Sequence, residues 1–267
     1  MQPWGGRTEN IMRQILNFND NWEFFKDVSD VGTQAAGEAI SLPHTWNGLD
    51  GQDGGNDYFR GTCLYKKVFR ADSLPKSPKY YLEINGANSS ADVYMNGKRL
   101  AHHDGGYSTW RVNITGYLRA ENTLSILVDN SANEEVYPQV ADFTFYGGIY
   151  RDVNIVCVEE THFDLEYFGG NGLVITPEIN GDTANIKIVT YVNDMEKDDE
   201  ILYRIFDGAG CVVAEAQSSQ TTALLQINTH DGLFSGMLTV MVDDTAKLEA
   251  LIKKLRTVKG VKQVNRG

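Results

Sequence analysis

The sequence predicts a mainly β protein: two antiparallel sandwiches in succession, closed by a short β-α-β tail. Three observations carry that reading. From residue 40 to 158, short runs rich in Val, Ile, Tyr, Phe and Leu are broken by Gly, Asn, Asp or Pro at the roughly eight-to-twelve-residue spacing of sandwich and barrel folds. From 163 to 216 a second set of such runs follows, one of them alternating strictly. A 3.6-residue apolar period appears only near 247–255.

In chain order, strands are expected over 64–69, which the Pro75 and Pro78 loop ends, and over 80–84. Next come 92–95 and 98–100, joined by Asn96-Gly97, the pair that supplies the two positive-φ residues of a type I′ hairpin turn. Strands over 109–114, 123–129 and 151–158 complete the first block. The second block offers 163–168, 173–176, 184–192, 201–206 and 211–216. Ala184, Ile186, Ile188, Thr190 and Val192 share one face, and Asn185 and Lys187 the other, as in a half-buried antiparallel strand. Five strands fall short of the roughly seven of an immunoglobulin-type sandwich. The polar run from Gln217 to Thr222 marks a boundary. Beyond it lie a strand at 237–242, a helix over 247–255 with Asp243 or Asp244 as N-cap, and a strand at 261–265. Leu248, Leu251, Ile252 and Leu255 line one side of that helix. The domain limits are therefore 1–158, 159–222 and 223–267.

Composition narrows the function. The 267 residues are 42% apolar, enough for a core, with a mean hydropathy of −0.34. A net charge of −12 argues against nucleic acid or an anionic membrane as partner, because both select cationic faces. The tail alone is basic, with seven basic against four acidic residues over 231–267, which reads as a solvated helix face. No apolar run is long enough to span a bilayer. The first residues lack an apolar signal segment, so a cytoplasmic location is expected as written, and a periplasmic or secreted one if the N-terminus is trimmed. Cys63, Cys157 and Cys211 are too scattered for a disulfide framework or zinc site, and are expected to be buried and inert.

Five motifs then become recognisable: Phe18-Asn19-Asp20-Asn21-Trp22-Glu23-Phe24, Leu42-Pro43-His44-Thr45-Trp46-Asn47, Val93-Tyr94-Met95-Asn96-Gly97, His103-Asp104-Gly105-Gly106-Tyr107 and Gly147-Gly148-Ile149-Tyr150-Arg151-Asp152-Val153. In this order they resemble the N-terminal half of glycoside hydrolase family 2, and the loop from Asp50 to Gly61 is similar to that of its β-galactosidase-type members. The resemblance implies a galactose-binding-like jelly roll over 1–158 and a shortened immunoglobulin-like sandwich over 159–222. Residues 223–267, especially 230–236 and 258–261, resemble part of an ACT domain, as at the C-terminus of the guanosine tetraphosphate synthetase/hydrolase.

The resemblance also implies roles. Asp142 matches the family aspartate that contacts a galactosyl hydroxyl and ligates an alkali cation, since a carboxylate offers hard oxygen ligands and strong acceptors. Asp53, Asn56 and Asp57 lie in a Gly-rich polar loop suited to reach a sugar. Trp46, Tyr58, Tyr107, Trp110 and Tyr146 are candidates for stacking on a sugar face, with packing as their ordinary role. His44 is expected to be structural. His102 and His103, adjacent in a strand, should point to opposite faces and so make no metal pair.

The family's two catalytic glutamates sit on a barrel of about 250 residues for which this length leaves no room. The expectation is thus a carbohydrate-binding or scaffold part of a β-galactosidase-like enzyme, inactive alone, that binds β-galactosides weakly and could form a homo-oligomer. Two alternatives stay open: a free-standing carbohydrate-binding or interaction module, and a regulatory module built on the ACT-like tail.

Overall fold

The structure, a computed structural model, describes residues 13–48, 50, 57–137, 144–219, 221–228 and 237–238. It falls into two units: the described residues of Met1–Glu160 with Phe168–Gly170, and those of Thr161–Tyr167 with Asn171–Gly267.

The first unit holds ten strands: β1 Gln14–Asn17, β2 Trp22–Phe25, β3 Glu38–Ile40, β4 Thr62–Arg70, β5 Lys79–Ile84, β6 Ser90–Met95, β7 Lys98–Asp104, β8 Trp110–Asn113, β9 Glu121–Asp129 and β10 Val153–Val158. They form a six-stranded sheet, β3-β2-β4-β9-β6-β7, and a four-stranded sheet, β1-β10-β5-β8, with every pairing antiparallel. Alternation decides which side chains enter the core. Leu124, Ile126 and Val128 of β9 and Val93 of β6 are fully buried, as are Leu82 and Ile84 of β5 and Ile155 of β10. Aromatic rings fill the end near β2, where Trp22 donates its indole N–H to the Phe18 carbonyl at 2.9 Å. The hairpin turn is as expected, with φ of 53° at Asn96 and 80° at Gly97. The register slips by one residue between Val93 and Tyr94, so Leu100 forms a bulge.

The second unit holds β11 His162–Phe163, β12 Leu173–Asn180, β13 Thr183–Thr190, β14 Val192–Asn193, β15 Ile201–Phe206, β16 Val212–Ser218, β17 Thr222–Asn228 and β18 Met237–Leu238. Its sheets are β12-β13-β17 and β16-β15-β18, beside the short pair β11-β14. Among the described residues its core consists of Ile186, Ile188, Tyr203, Ile205, Ala223 and Leu225.

Several expectations change here. The strand expected at 163–168 stops at Phe163: the Asp164 carboxylate accepts the Glu166 and Tyr167 N–H groups at 2.7 and 2.8 Å, and Phe168 and Gly169 then adopt φ of 47° and 60° in a tight turn. A Cβ on Gly169 would lie 1.8 Å from the Thr109 carbonyl oxygen, so only glycine fits there. Strand β17 lies just past the expected limit at 222, yet pairs with β13 from Thr183 to Val189 and buries Ala223 and Leu225. The polar run before it thus falls between β16 and β17, two strands in different sheets of the second unit, and polarity marks connections as readily as domain limits. Cys211 is exposed, in contrast to Cys63 and Cys157. It follows the turn residue Gly210, whose φ is 84°. The expected helix at 247–255 and strand at 261–265 lie outside the described residues.

Candidate carbohydrate-facing loops

Two connections of the first unit carry the candidate residues: the one before β4, with Asp53, Asn56 and Asp57, and the one between β9 and β10, with Asp142. Asp53, Asn56 and Asp142 lie outside the described residues. Asp57 is described and exposed, its carboxylate accepting the Tyr58 backbone N–H at 2.9 Å.

What the structure does show is how the roots of these connections are held together. Asn47, fully buried, uses its whole hydrogen-bonding capacity across them. Its carbonyl oxygen accepts the Gly147 N–H at 2.7 Å and an Asn130 amide N–H at 3.2 Å. Its amide nitrogen donates to an Asp50 carboxylate oxygen at 2.8 Å and to the Phe59 carbonyl at 2.9 Å. The same Asp50 oxygen accepts the Phe59 N–H at 3.0 Å, and this bond leads the causes that hold the Asp50 carboxyl below its usual range. Asn130 ties the other ends, accepting the Gly61 N–H at 2.9 Å. Thr45 donates its hydroxyl to the Gly147 carbonyl at 2.7 Å.

Close approach makes glycine necessary at this junction. A Cβ on Gly147 would fall 2.1 Å from the Trp46 ring. One on Gly148, at φ 126°, would lie 2.5 Å from the His44 carbonyl. Asn88 bridges to the next loop: it exchanges backbone hydrogen bonds with Gly148 at 3.0 and 3.2 Å and donates its amide to the Tyr146 carbonyl at 2.9 Å.

His44 is structural as expected. Its Nδ1 lies 2.8 Å from the buried Tyr65 hydroxyl, its ring packs on Phe24, and burial lowers its pKa. Of the candidate stacking residues, Trp46 and Trp110 are buried in the core, whereas Tyr107 and Tyr146 are 51% and 40% exposed. Tyr58 carries the Arg60 guanidinium over its ring at 4.4 Å. His102 and His103 do point to opposite faces: His102 bonds Asp92 and Asp104, and His103 stacks on Trp110 at 4.8 Å between ring centroids. The alkali cation implied for Asp142 rests on a residue outside the described set. Among the described residues no group of three or more His, Cys, Asp or Glu side chains is placed to hold a metal.

Sequence reasoning did not single out Asn47, Asp50 or Asn130. Their partners lie up to 100 positions away, as between Asn47 and Gly147, and no local pattern announces such a contact.

Comparison with known proteins agrees with the motifs. Residues 57–149 match the glycosyl hydrolase 2 galactose-binding domain-like family, and residues 209–266 match the ACT domain family. The latter range includes β16 and β17, which pair within the second sandwich. A β-glucuronidase of Bacteroides fragilis is 34% identical over 174 residues, 64% of this chain and 24% of the relative. A β-galactosidase of Thermoanaerobacter pseudethanolicus is 27% identical over 236 residues, 83% of this chain and 31% of the relative. Among solved structures, the FMN-binding β-glucuronidase of Facaelibacterium prausnitzii L2-6 superposes with a TM-score of 0.71 at 36% identity, over 82% of this chain and 34% of that one. The chain thus resembles the N-terminal part of glycoside hydrolase family 2 enzymes and spans about a quarter to a third of their length.

Proposed function

We propose that this chain is the carbohydrate-facing scaffold of a glycoside hydrolase family 2 enzyme and that the 267-residue polypeptide by itself does not cleave glycosides. The observation that carries this reading is the Asn47 junction, which sets the roots of two polar connections side by side on a rigid sandwich. In this reading Asp142 accepts hydrogen bonds from sugar hydroxyls and offers an oxygen to an alkali cation, while Asp53, Asn56 and Asp57 border the same sugar. Tyr107 and Tyr146 supply exposed rings for its apolar face. The relatives are named for β-glucuronides and β-galactosides, and a β-galactoside is our choice from the loop at 50–61.

Retaining hydrolysis needs two carboxyl groups about 5 to 5.5 Å apart across the scissile bond, one kept protonated. Three carboxylates of the first unit are engaged otherwise. Glu83 is buried against Arg111 at 2.6 Å, Asp50 holds Phe59, and Asp129 accepts the Thr62 hydroxyl at 2.5 Å. Calorimetry with methyl β-D-galactoside, and separately with the β-D-glucuronide, tests the binding reading. We expect weak heat with the galactoside that Asp142→Ala abolishes; unaltered heat in that variant overturns the assignment. Sustained hydrolysis of a chromogenic β-galactoside, lost on one Asp or Glu substitution, overturns the non-catalytic reading.

A further inference from the structure

We infer that Pro177 keeps the free edge of β12 from pairing with the same edge of a second copy of this chain. Among the described residues, β12 is an outer strand of the sheet β12-β13-β17, paired on one side only. The strand expected from the sequence ends at Thr176, before the proline, whereas the observed strand runs on through Pro177 to Asn180. A ladder tolerates proline where the missing N–H would have faced away from the neighbouring strand. The inference concerns the second unit alone and does not rest on the carbohydrate role proposed above.

The register fixes which way Pro177 faces. Residues opposite each other in an antiparallel pair alternate between exchanging both backbone hydrogen bonds and exchanging none. Asn180 and Thr183 flank the turn at Gly181-Asp182, where Gly181 has φ of 59°, and the pairing from there to Leu173 and Thr190 has no register shift. Past the other end of the ladder, the Thr190 N–H bonds the Thr221 carbonyl on the β17 side at 2.8 Å, and the Tyr191 N–H bonds the Gly172 carbonyl on the β12 side at 2.6 Å. Even-numbered residues of β13 therefore turn their backbone groups to β17, and odd-numbered ones to β12. Pro177 stands opposite Ile186, so its carbonyl and its nitrogen both face the open edge. The N–H and C=O of Ile175 and Ile179, opposite Ile188 and Ala184, face the same way.

Proteins guard an edge strand by keeping it short, charging it, bulging it or placing proline on it. Strand β12 has eight residues, pairs without a bulge and carries one charged side chain, Glu178, which leaves the proline as its guard. Val174 and Ile179 are 43% and 48% exposed along it. A second copy brings the same aliphatic side chains and the same outward backbone groups, and antiparallel pairing about a two-fold axis matches the edge with itself. Each copy offers carbonyls at 175, 177 and 179 but N–H groups only at 175 and 179. Any register running through 177 leaves a partner carbonyl without its donor and sets the pyrrolidine ring against the incoming backbone. Because the loss falls in both copies, one proline per chain removes the middle of the ladder.

Two measurements on the full chain test this. In the wild type, amide exchange resolved by residue should be fast at Ile175 and Ile179 and slow at Thr176 and Glu178, whose N–H groups face β13. Equal protection at all four would mean that the edge is already covered, and would overturn the inference. In Pro177→Val, sedimentation velocity should show a dimer that grows with concentration beyond anything in the wild type. Exchange at residues 175 and 179 should slow by about tenfold as that dimer forms, with the β13 amides as protected as before. Adding Ile179→Lys to this variant charges the new ladder and should restore the wild-type mass. A Pro177→Val chain that sediments like the wild type, a dimer in which 175 and 179 still exchange fast, or one that Ile179→Lys does not weaken would each overturn the inference.

Discussion

The two sandwiches differ in what they bury. The first surrounds a large aromatic and aliphatic core and also encloses Asn47, Glu83, Asn88, Arg111 and Asn130. The described part of the second packs a handful of aliphatic side chains with Tyr203, whose hydroxyl lies 2.9 Å from that of the buried Thr190. A buried polar group is costly unless every partner is in place, so a network of them fixes loop geometry only within a core large enough to carry it. In the first unit such a core and such a network occur together, and they set two candidate loops side by side.

The buried ion pair probes this contrast most severely. Arg111 donates to Glu83 at 2.6 Å and to the Gly170 carbonyl at 2.9 Å, with Glu83 fully buried. Arg111→Met should destabilise the first unit by about 3 kcal/mol, because it takes from a buried carboxylate its 2.6 Å cation while Arg13 stands 3.8 Å away. Denaturant unfolding read by region-resolved hydrogen exchange checks this, and a loss below about 1 kcal/mol would erase the claimed difference between the units.

Asn47→Ala should come next, at about 2 kcal/mol, since it leaves the Gly147 N–H buried and unmet and takes one of two acceptors from the Asn130 amide, which keeps the Phe59 carbonyl at 3.3 Å. Exchange should quicken at both 57–61 and 144–148. Acceleration at only one of them would mean that Asn47 does not couple the two connections.

For the second unit, Leu225→Ala should cost about 2–4 kcal/mol, the cavity left by a buried side chain packed among Ile186, Ile188, Tyr203, Ile205 and Ala223. Its exchange signature should stay within the second unit. Should the variant leave those amides as protected as before, β17 is dispensable there.

Asp57→Ala makes the mildest case. The side chain is exposed and, among the described residues, bonds its neighbour's N–H, so stability should change by less than about 0.5 kcal/mol. Any loss of galactoside heat in that variant then reports on binding alone.

Much of the frame was legible in the chain. Asn96-Gly97 announced its hairpin because a local φ requirement selects those two residues, and 201–206 reads as a strand with the bounds observed. Strands β1, β2 and β3 were not assigned, being only three or four residues long and leaning on β4 and β10 for their definition. Residues 163–168 look apolar enough for a strand, and the turn at Phe168 shows only once Gly169 meets the Thr109 backbone. Of the candidate site, the motifs span the described ends of two connections. Their joining by Asn47, Asp50 and Asn130 depends on residues far apart in sequence.

By itself, then, the sequence determined the strand-rich class, the alternation that decides which side chains face inward, the hairpin turn and the family likeness. All of these rest on interactions between near neighbours or on residue types. Tertiary structure alone decided that β17 completes the second sandwich, that one buried asparagine amide ties two loops, and that a histidine stands between two carboxylates across β6 and β7. Each of those depends on register and long-range pairing, which arise only when distant segments share a core.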